Sequence, residues 1–232
     1  MFLEYAQVLA AAFFFGVAAA APIGPVNTVA IHRGLHARWT HTLACGIGSA
    51  IVDGLYFLLA LLAGHWLITQ VSNPILKVIV ASTGAVLLIV LGGAFLVMAI
   101  KKVVPLDPDR GRKDIPPTRL LADMGSGALL TVINPAAPVY WLGVAGNWLP
   151  HAQEVFRQTS ASPVEPNHTA VWLGLMAAGG GLLSWFLLLT AVVRFTPRRI
   201  GPLFFRVVNI LSGSLLIILG LVLAASAAGL FG

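Results

Sequence analysis

Charge is what this chain has least of. Of its 232 residues only 9% are Asp, Glu, Lys or Arg, against about 25% in an ordinary soluble domain. With 58% hydrophobic residues beside them, this excludes a soluble enzyme. One soluble core of this length cannot hold so much apolar surface, whereas six membrane spans of about 20–25 residues can. Cysteine is nearly absent as well. The single Cys45 forms no intramolecular disulfide, Cys-x-x-Cys redox centre or thiolate zinc site, which excludes dithiol membrane oxidoreduction. No apolar run carries a Ser/His, paired-carboxylate or His-x-x-x-His constellation, so the chain is read as a non-enzyme without a cofactor. The net charge of +6 does not indicate nucleic acid, because the basic residues form no groove-lining cluster with interleaved aromatics.

What is present is apolar length. Runs at 5–31, 43–68, 75–100, 121–147, 169–194 and 204–230 each suffice to cross about 30 Å of hydrocarbon with some tilt. The expectation is an all-α polytopic membrane protein with six transmembrane helices. The first run ends in Ala18-Ala19-Ala20-Ala21 like a signal peptide, but it opens with Glu4 and no Lys or Arg, so it is kept as a permanent span. Twelve of the fourteen Lys and Arg lie in 32–42, 101–120 and 194–206; only Lys77 and Arg157 lie in the alternate set. By the positive-inside rule those three segments are cytoplasmic and both termini periplasmic.

The two halves resemble each other. Lys77-Val78-Ile79-Val80-Ala81-Ser82-Thr83-Gly84 is echoed by Arg206-Val207-Val208-Asn209-Ile210-Leu211-Ser212-Gly213, and Gly46-Ile47-Gly48-Ser49-Ala50 more loosely by Gly179-Gly180-Gly181-Leu182-Leu183. Span one is interrupted by Pro22-Ile23-Gly24-Pro25-Val26-Asn27 and span four by Asn134-Pro135-Ala136-Ala137-Pro138. A repeat with an odd number of spans inserts its second copy upside down. The sequence therefore predicts two inverted three-helix repeats, 1–104 and 121–232, joined by a cytoplasmic linker at 105–120, with helices 1 and 4 broken by proline. Such symmetry is a transporter signature.

The breaks are where chemistry is expected. Paired prolines open a helix, and the freed backbone groups cost several kcal/mol each in hydrocarbon unless they line a polar cavity. Helix-end amides can then hold a substrate carboxylate and free carbonyls an ammonium or coupling ion. The substrate-binding candidates are Pro22, Gly24, Pro25, Asn27, Thr28, Asn134, Pro135 and Pro138, with Thr131 nearby. Asp53 is the one charged residue well inside any run, at a cost of about 2.5–3.5 kcal/mol on insertion scales. It is the candidate proton carrier or counter-ion to a substrate ammonium. Gly46, Ser49, Ala50, Tyr56 and Phe57 share its side of the helix, and Tyr56 is the candidate hydrogen-bond donor. His32, His36 and His41 have no accompanying carboxylate or cysteine in sequence and read as a solvated loop rather than a metal site. Arg33 and Gly34 read as a topology anchor. Asp107, Asp109 and Asp114 lack calcium-loop spacing.

The Pro22–Asn27 segment, Arg33-Gly34, the glycine-rich second span ending in Asp53-Gly54-Leu55-Tyr56, and Asn134-Pro135 together resemble the LysE/RhtB amino-acid exporter superfamily, the LysE-type translocators. The likeness covers nearly the whole chain. It implies a secondary active exporter of amino acids or related small metabolites in the bacterial inner membrane, driven by the proton gradient, with the Asp53 position functionally important. Ala136-Ala137-Pro138 stand where many members carry a lysine after Asn-Pro. The expected partners are a small-molecule substrate, an amino acid first of all, protons and the lipid bilayer, with a homodimer left open. The alternatives are an exporter of a metal ion or other solute within the same superfamily, or a channel, which would need a continuous polar path.

Overall fold

The computed structural model describes residues 2–70, 74–100, 120–159, 166–196 and 201–227. Every regular element among them is an α-helix: α1 (Phe2–Ala20), α2 (Pro25–His36), α3 (Trp39–Gln70), α4 (Pro74–Ile100), α5 (Leu120–Val132), α6 (Ala136–Thr159), α7 (Pro166–Phe195) and α8 (Pro202–Ala227). Five of these, α1, α3, α4, α7 and α8, are long and apolar enough to cross a membrane. The pair α5 and α6, bent by 69°, makes a sixth span if taken as one. All of the 105–120 linker but Leu120 lies outside the described residues, as do the basic residues of 101–119, Arg198 and Arg199.

Two helices outrun their apolar segments. α3 starts at Trp39 rather than near 43, because His41 and Thr42 are buried. α6 continues through Pro150 to Thr159, into the 148–168 stretch expected to connect spans. Its apolar face explains the extension: Leu149, Ala152 and Phe156 are buried, Phe156 meets Tyr5 edge-on at 4.5 Å, and the Trp148 indole donates to the Val8 carbonyl at 2.9 Å. One missing amide bond at Pro150 costs less than this packing contributes.

The strongest helix pairs are α4 with α8, α3 with α5 and α1 with α7, none of them adjacent in sequence. Lipid tails are as apolar as leucine, so such pairs are held by close backbone approach through small residues. A side-chain carbon at Gly48 would collide with the Met124 carbonyl, and one at Gly127 with the Cys45 carbonyl. On the other side of the bundle, Gly16 meets the Ala178 carbonyl and Gly181 the Phe13 carbonyl in the same reciprocal way. Gly92 and Gly213 face each other's carbonyls where α4 crosses α8. Gly84, the sequence echo of Gly213, packs on Gly143 instead. α3 and α5 share one register along their seam, since His41 meets Asp123 and Ser49 meets Thr131, both 82 residues apart.

Candidate functional site

Between the two helix interruptions lies a cavity of about 310 Å³. Pro25 starts α2 at its first turn, where a missing amide hydrogen costs nothing, and α1 has already ended at Ala20. The four intervening residues are bound tightly. Asn27 donates from Nδ2 to the carbonyls of Ala20 and Pro22, both at 2.7 Å, and its Oδ1 accepts the Trp185 indole at 3.4 Å. The buried Asn209 of α8 accepts the Ile23 amide on Oδ1 at 3.0 Å. At the second interruption, Asn134 accepts the Ala136 amide at 3.1 Å and so starts α6.

These contacts correct the expectation of freely available backbone groups. Asn27 and Asn134 stitch the interruptions, and Thr28 bonds its own helix at the Gly24 carbonyl, 3.0 Å away. What stays open is the N-terminus of α2: Gly24 is its cap residue without a side-chain bond, leaving the Val26 and Asn27 amides without intrahelical acceptors. Asn209→Ala would strand the Ile23 amide and is expected to cost about 1–3 kcal/mol, read as a lowered unfolding temperature in detergent. Asn209→Asp, which keeps an acceptor, should lose less.

Asp53 reaches the cavity from α3, roughly 21 Å along the axis from Trp39. Its Oδ1 accepts the Trp141 indole N–H at 2.9 Å. Its Oδ2 accepts Ser49 Oγ at 3.4 Å, and Ser49 shares a 2.7 Å bond with Thr131. Phe57 packs against the Trp141 ring at 4.6 Å, which fixes the indole. Most of the remaining wall is apolar, with Leu91, Phe95, Met98, Phe186 and Leu216, and Tyr140 completes it with its hydroxyl donated to the Phe15 carbonyl at 2.7 Å. Among the described residues no group of three or more His, Cys, Asp or Glu is placed to hold a metal.

Of the candidates from sequence, Pro22, Gly24, Pro25, Asn27, Asp53 and Asn134 line this cavity together with Ser49 and Thr131. Thr28, Pro135, Pro138 and Tyr56 are not among its lining residues; Tyr56 turns to the Val132 carbonyl at 3.2 Å. Trp141 and Asn209 were not singled out by sequence. Each sits far along the chain from its partner, and no local pattern announces such a bond. A second polar cluster also escaped notice. His36 and His41 are buried rather than solvated, and His41 donates from Nδ1 to Asp123, a carboxylate 1% exposed. Arg33 lies 3.5 Å from the other oxygen of Asp123.

Comparison with known proteins agrees with this architecture. Residues 17–227 match the family model of the LysE type translocator. A Bacillus subtilis (strain 168) protein named "Putative amino acid efflux protein YcgF" is 28% identical over 141 residues, which are 61% of this chain and 63% of that protein. The alignment thus spans less than two thirds of the relative's length. No solved structure matches. With a family match over most of its length and a multi-pass helical architecture to carry it, the chain belongs to the LysE type translocators, a family that points to a transporter rather than an enzyme.

Proposed function

We propose that the protein is a proton-coupled secondary exporter of small neutral amino acids with apolar side chains, and that the cavity between the two interruptions is its transport site. The observation that carries this reading is the pairing, within one cavity, of an uncapped helix N-terminus and a carboxylate, with no Lys or Arg in the lining. The α2 terminus suits a substrate carboxylate, and Asp53 suits its ammonium. Leu91, Phe95, Met98 and Leu216 offer contact to an apolar side chain but no partner for a second charge. At about 310 Å³ the cavity is at the small end of ligand sites.

In this reading the chain consists of two inverted repeats, 1–104 and 121–232, around a cytoplasmic linker at 105–120, each opening with a proline-broken span. The reciprocal glycine pairs of α3 with α5 and of α1 with α7 are what such a repeat would produce. The family likeness supports a bacterial inner-membrane location, and the distribution of Lys and Arg favours both termini on the periplasmic side. Asp53 alternates between a proton and a substrate ammonium. Either one removes the cost of a bare charge at this depth, so the two compete, and competition of this kind makes entry of one drive exit of the other.

Purified protein should be stabilised against heat by leucine-like or alanine-like amino acids, and less by lysine, glutamate or divalent metal ions, since a ligand selective for the folded state raises its apparent stability. Proteoliposomes should exchange labelled neutral amino acid across the membrane. Stabilisation by metal ions alone would favour the metal-exporter alternative. Uncoupled downhill flux, with no accumulation against a gradient, would favour a channel.

A further inference from the structure

The buried cluster at the basic end of the bundle has no part in the site described above. Arg33 comes from α2, His41 from α3 and Asp123 from α5, so three elements meet in one group of charges. α2 leads away from the first interruption and α5 leads into the second. At 1.5 Å per helical residue the cluster lies about 9 Å from Asn27 along α2 and about 12 Å from Thr131 along α5. It therefore stands between the cavity and the basic end, on helices that both border the cavity. Asp123 is 1% exposed and His41 equally buried, yet neither His41 Nε2 nor Asp123 Oδ1 has a hydrogen-bond partner. A purely static buried pair would be expected to have every polar atom satisfied. Here one nitrogen of the imidazole and one carboxylate oxygen are left for water to reach once the helices part.

We propose that Arg33, Asp123 and His41 form a polar clasp that ties α2, α3 and α5 together and holds the cavity closed on its basic side. Asp123 on α5 is the shared partner: it accepts from His41 on α3 and faces Arg33 on α2, so parting α5 from these helices leaves a carboxylate short of its partners, and the clasped arrangement is favoured. The neighbouring groups fit this role. From α2 the buried His36 stacks on His32 at 4.2 Å and its Nδ1 lies 2.8 Å from the His32 carbonyl oxygen. On α3 the next turn carries Cys45. From α7, Thr190 is a buried hydroxyl without a partner, and Arg194 lies over the Trp39 and Phe195 rings at 4.9 Å. Among the described residues Asp123 is the one acid in the cluster.

The inference rests on the cavity being the transport site, but its test needs no substrate. In inside-out vesicles carrying Ala94→Cys, a cavity-lining position, an impermeant thiol reagent on the basic side should label the cavity. Cys45, buried one turn from His41, is replaced by Ala so that opening of the cluster adds no signal of its own. At one fixed pH, which holds the thiolate fraction of the probe cysteine constant, labelling should be slow in the otherwise parental chain, and Asp123→Asn or Arg33→Gln should speed it several-fold. His41→Gln, which keeps a donor near Asp123, should speed it less. Arg33 is partly exposed, so Arg33→Gln keeps the test open if Asp123→Asn fails to fold. Parental labelling rates in the folded cluster variants overturn the clasp. If labelling behaves as stated but no amino acid is transported, the clasp stands and the substrate reading fails.

Discussion

Asp53→Asn is expected to insert and fold like the parent and to lose uphill export altogether. The substitution keeps the shape of the side chain, and its remaining oxygen can still accept the Trp141 indole that now sits 2.9 Å from Oδ1. What it removes is the ability to carry a proton or balance an ammonium. Binding separates the two roles. If Asp53 pairs with the substrate, affinity should fall by about 1.5–3 kcal/mol, the worth of a hydrogen bond to a charged group, which is about ten- to hundredfold. If it only carries the proton, exchange of labelled for unlabelled substrate should survive while accumulation against a gradient vanishes. Asp53→Glu should retain part of the activity, since it keeps the acid while its extra methylene disturbs the bonds to Trp141 and Ser49. Parental accumulation by Asp53→Asn in proteoliposomes would reduce Asp53 to a structural acceptor for the indole.

The second large effect concerns packing. Gly127→Leu on α5 places a side chain against the Cys45 backbone, where even a single carbon collides. Backbone cannot swing away as a flexible side chain can, so α3 and α5 must separate, at a cost of about 3 kcal/mol or more. Because that seam also carries Ser49 with Thr131 and His41 with Asp123, both polar sites should fail together. Gly125→Leu, two residues away on the same helix, meets open space and should be tolerated. Comparing the monodisperse yield of the two variants in detergent tests the claim, and equal yields would contradict it. Gly54→Leu and Gly93→Leu are open positions of the same kind on α3 and α4.

Much of this was legible in the sequence, and the reason is period and cost. Apolar runs of membrane length announce helices whatever their partners. A carboxylate at position 53 stands out because insertion penalises it, and Pro22, Pro25 and Asn134-Pro135 stand out because proline acts on its own turn. The partners were not legible. Nothing near Asp53 points to Trp141, 88 residues on, or near Ile23 to Asn209, 186 residues on. Asp123 hid for another reason. It lies near the start of an apolar run, where an acid looks like ordinary interface charge, and only the register of α3 on α5 buries it against His41. The histidines misled in the same way, since a cluster between two apolar runs looks solvated until α3 is found to begin before it.

The pairing of helices that are not sequence neighbours bears on how the chain comes together after synthesis. Among the described residues, neither α3 with α4 nor α7 with α8 forms a substantial helical hairpin. The main partners of α1, α3 and α4 are α7, α5 and α8, all from the later half of the chain. Apart from α2 and α3, which pack on each other, helices emerging first therefore find lipid, not protein, along their glycine faces and must wait, inserted but without their main partners, until the rest has been made. Assembly is correspondingly late and non-local, with loop closures long enough to make it slow. During that interval the exposed glycine faces and the charge of Asp53 are open to wrong partners, so the early half is the part of this molecule most dependent on whatever shelters unfinished membrane proteins.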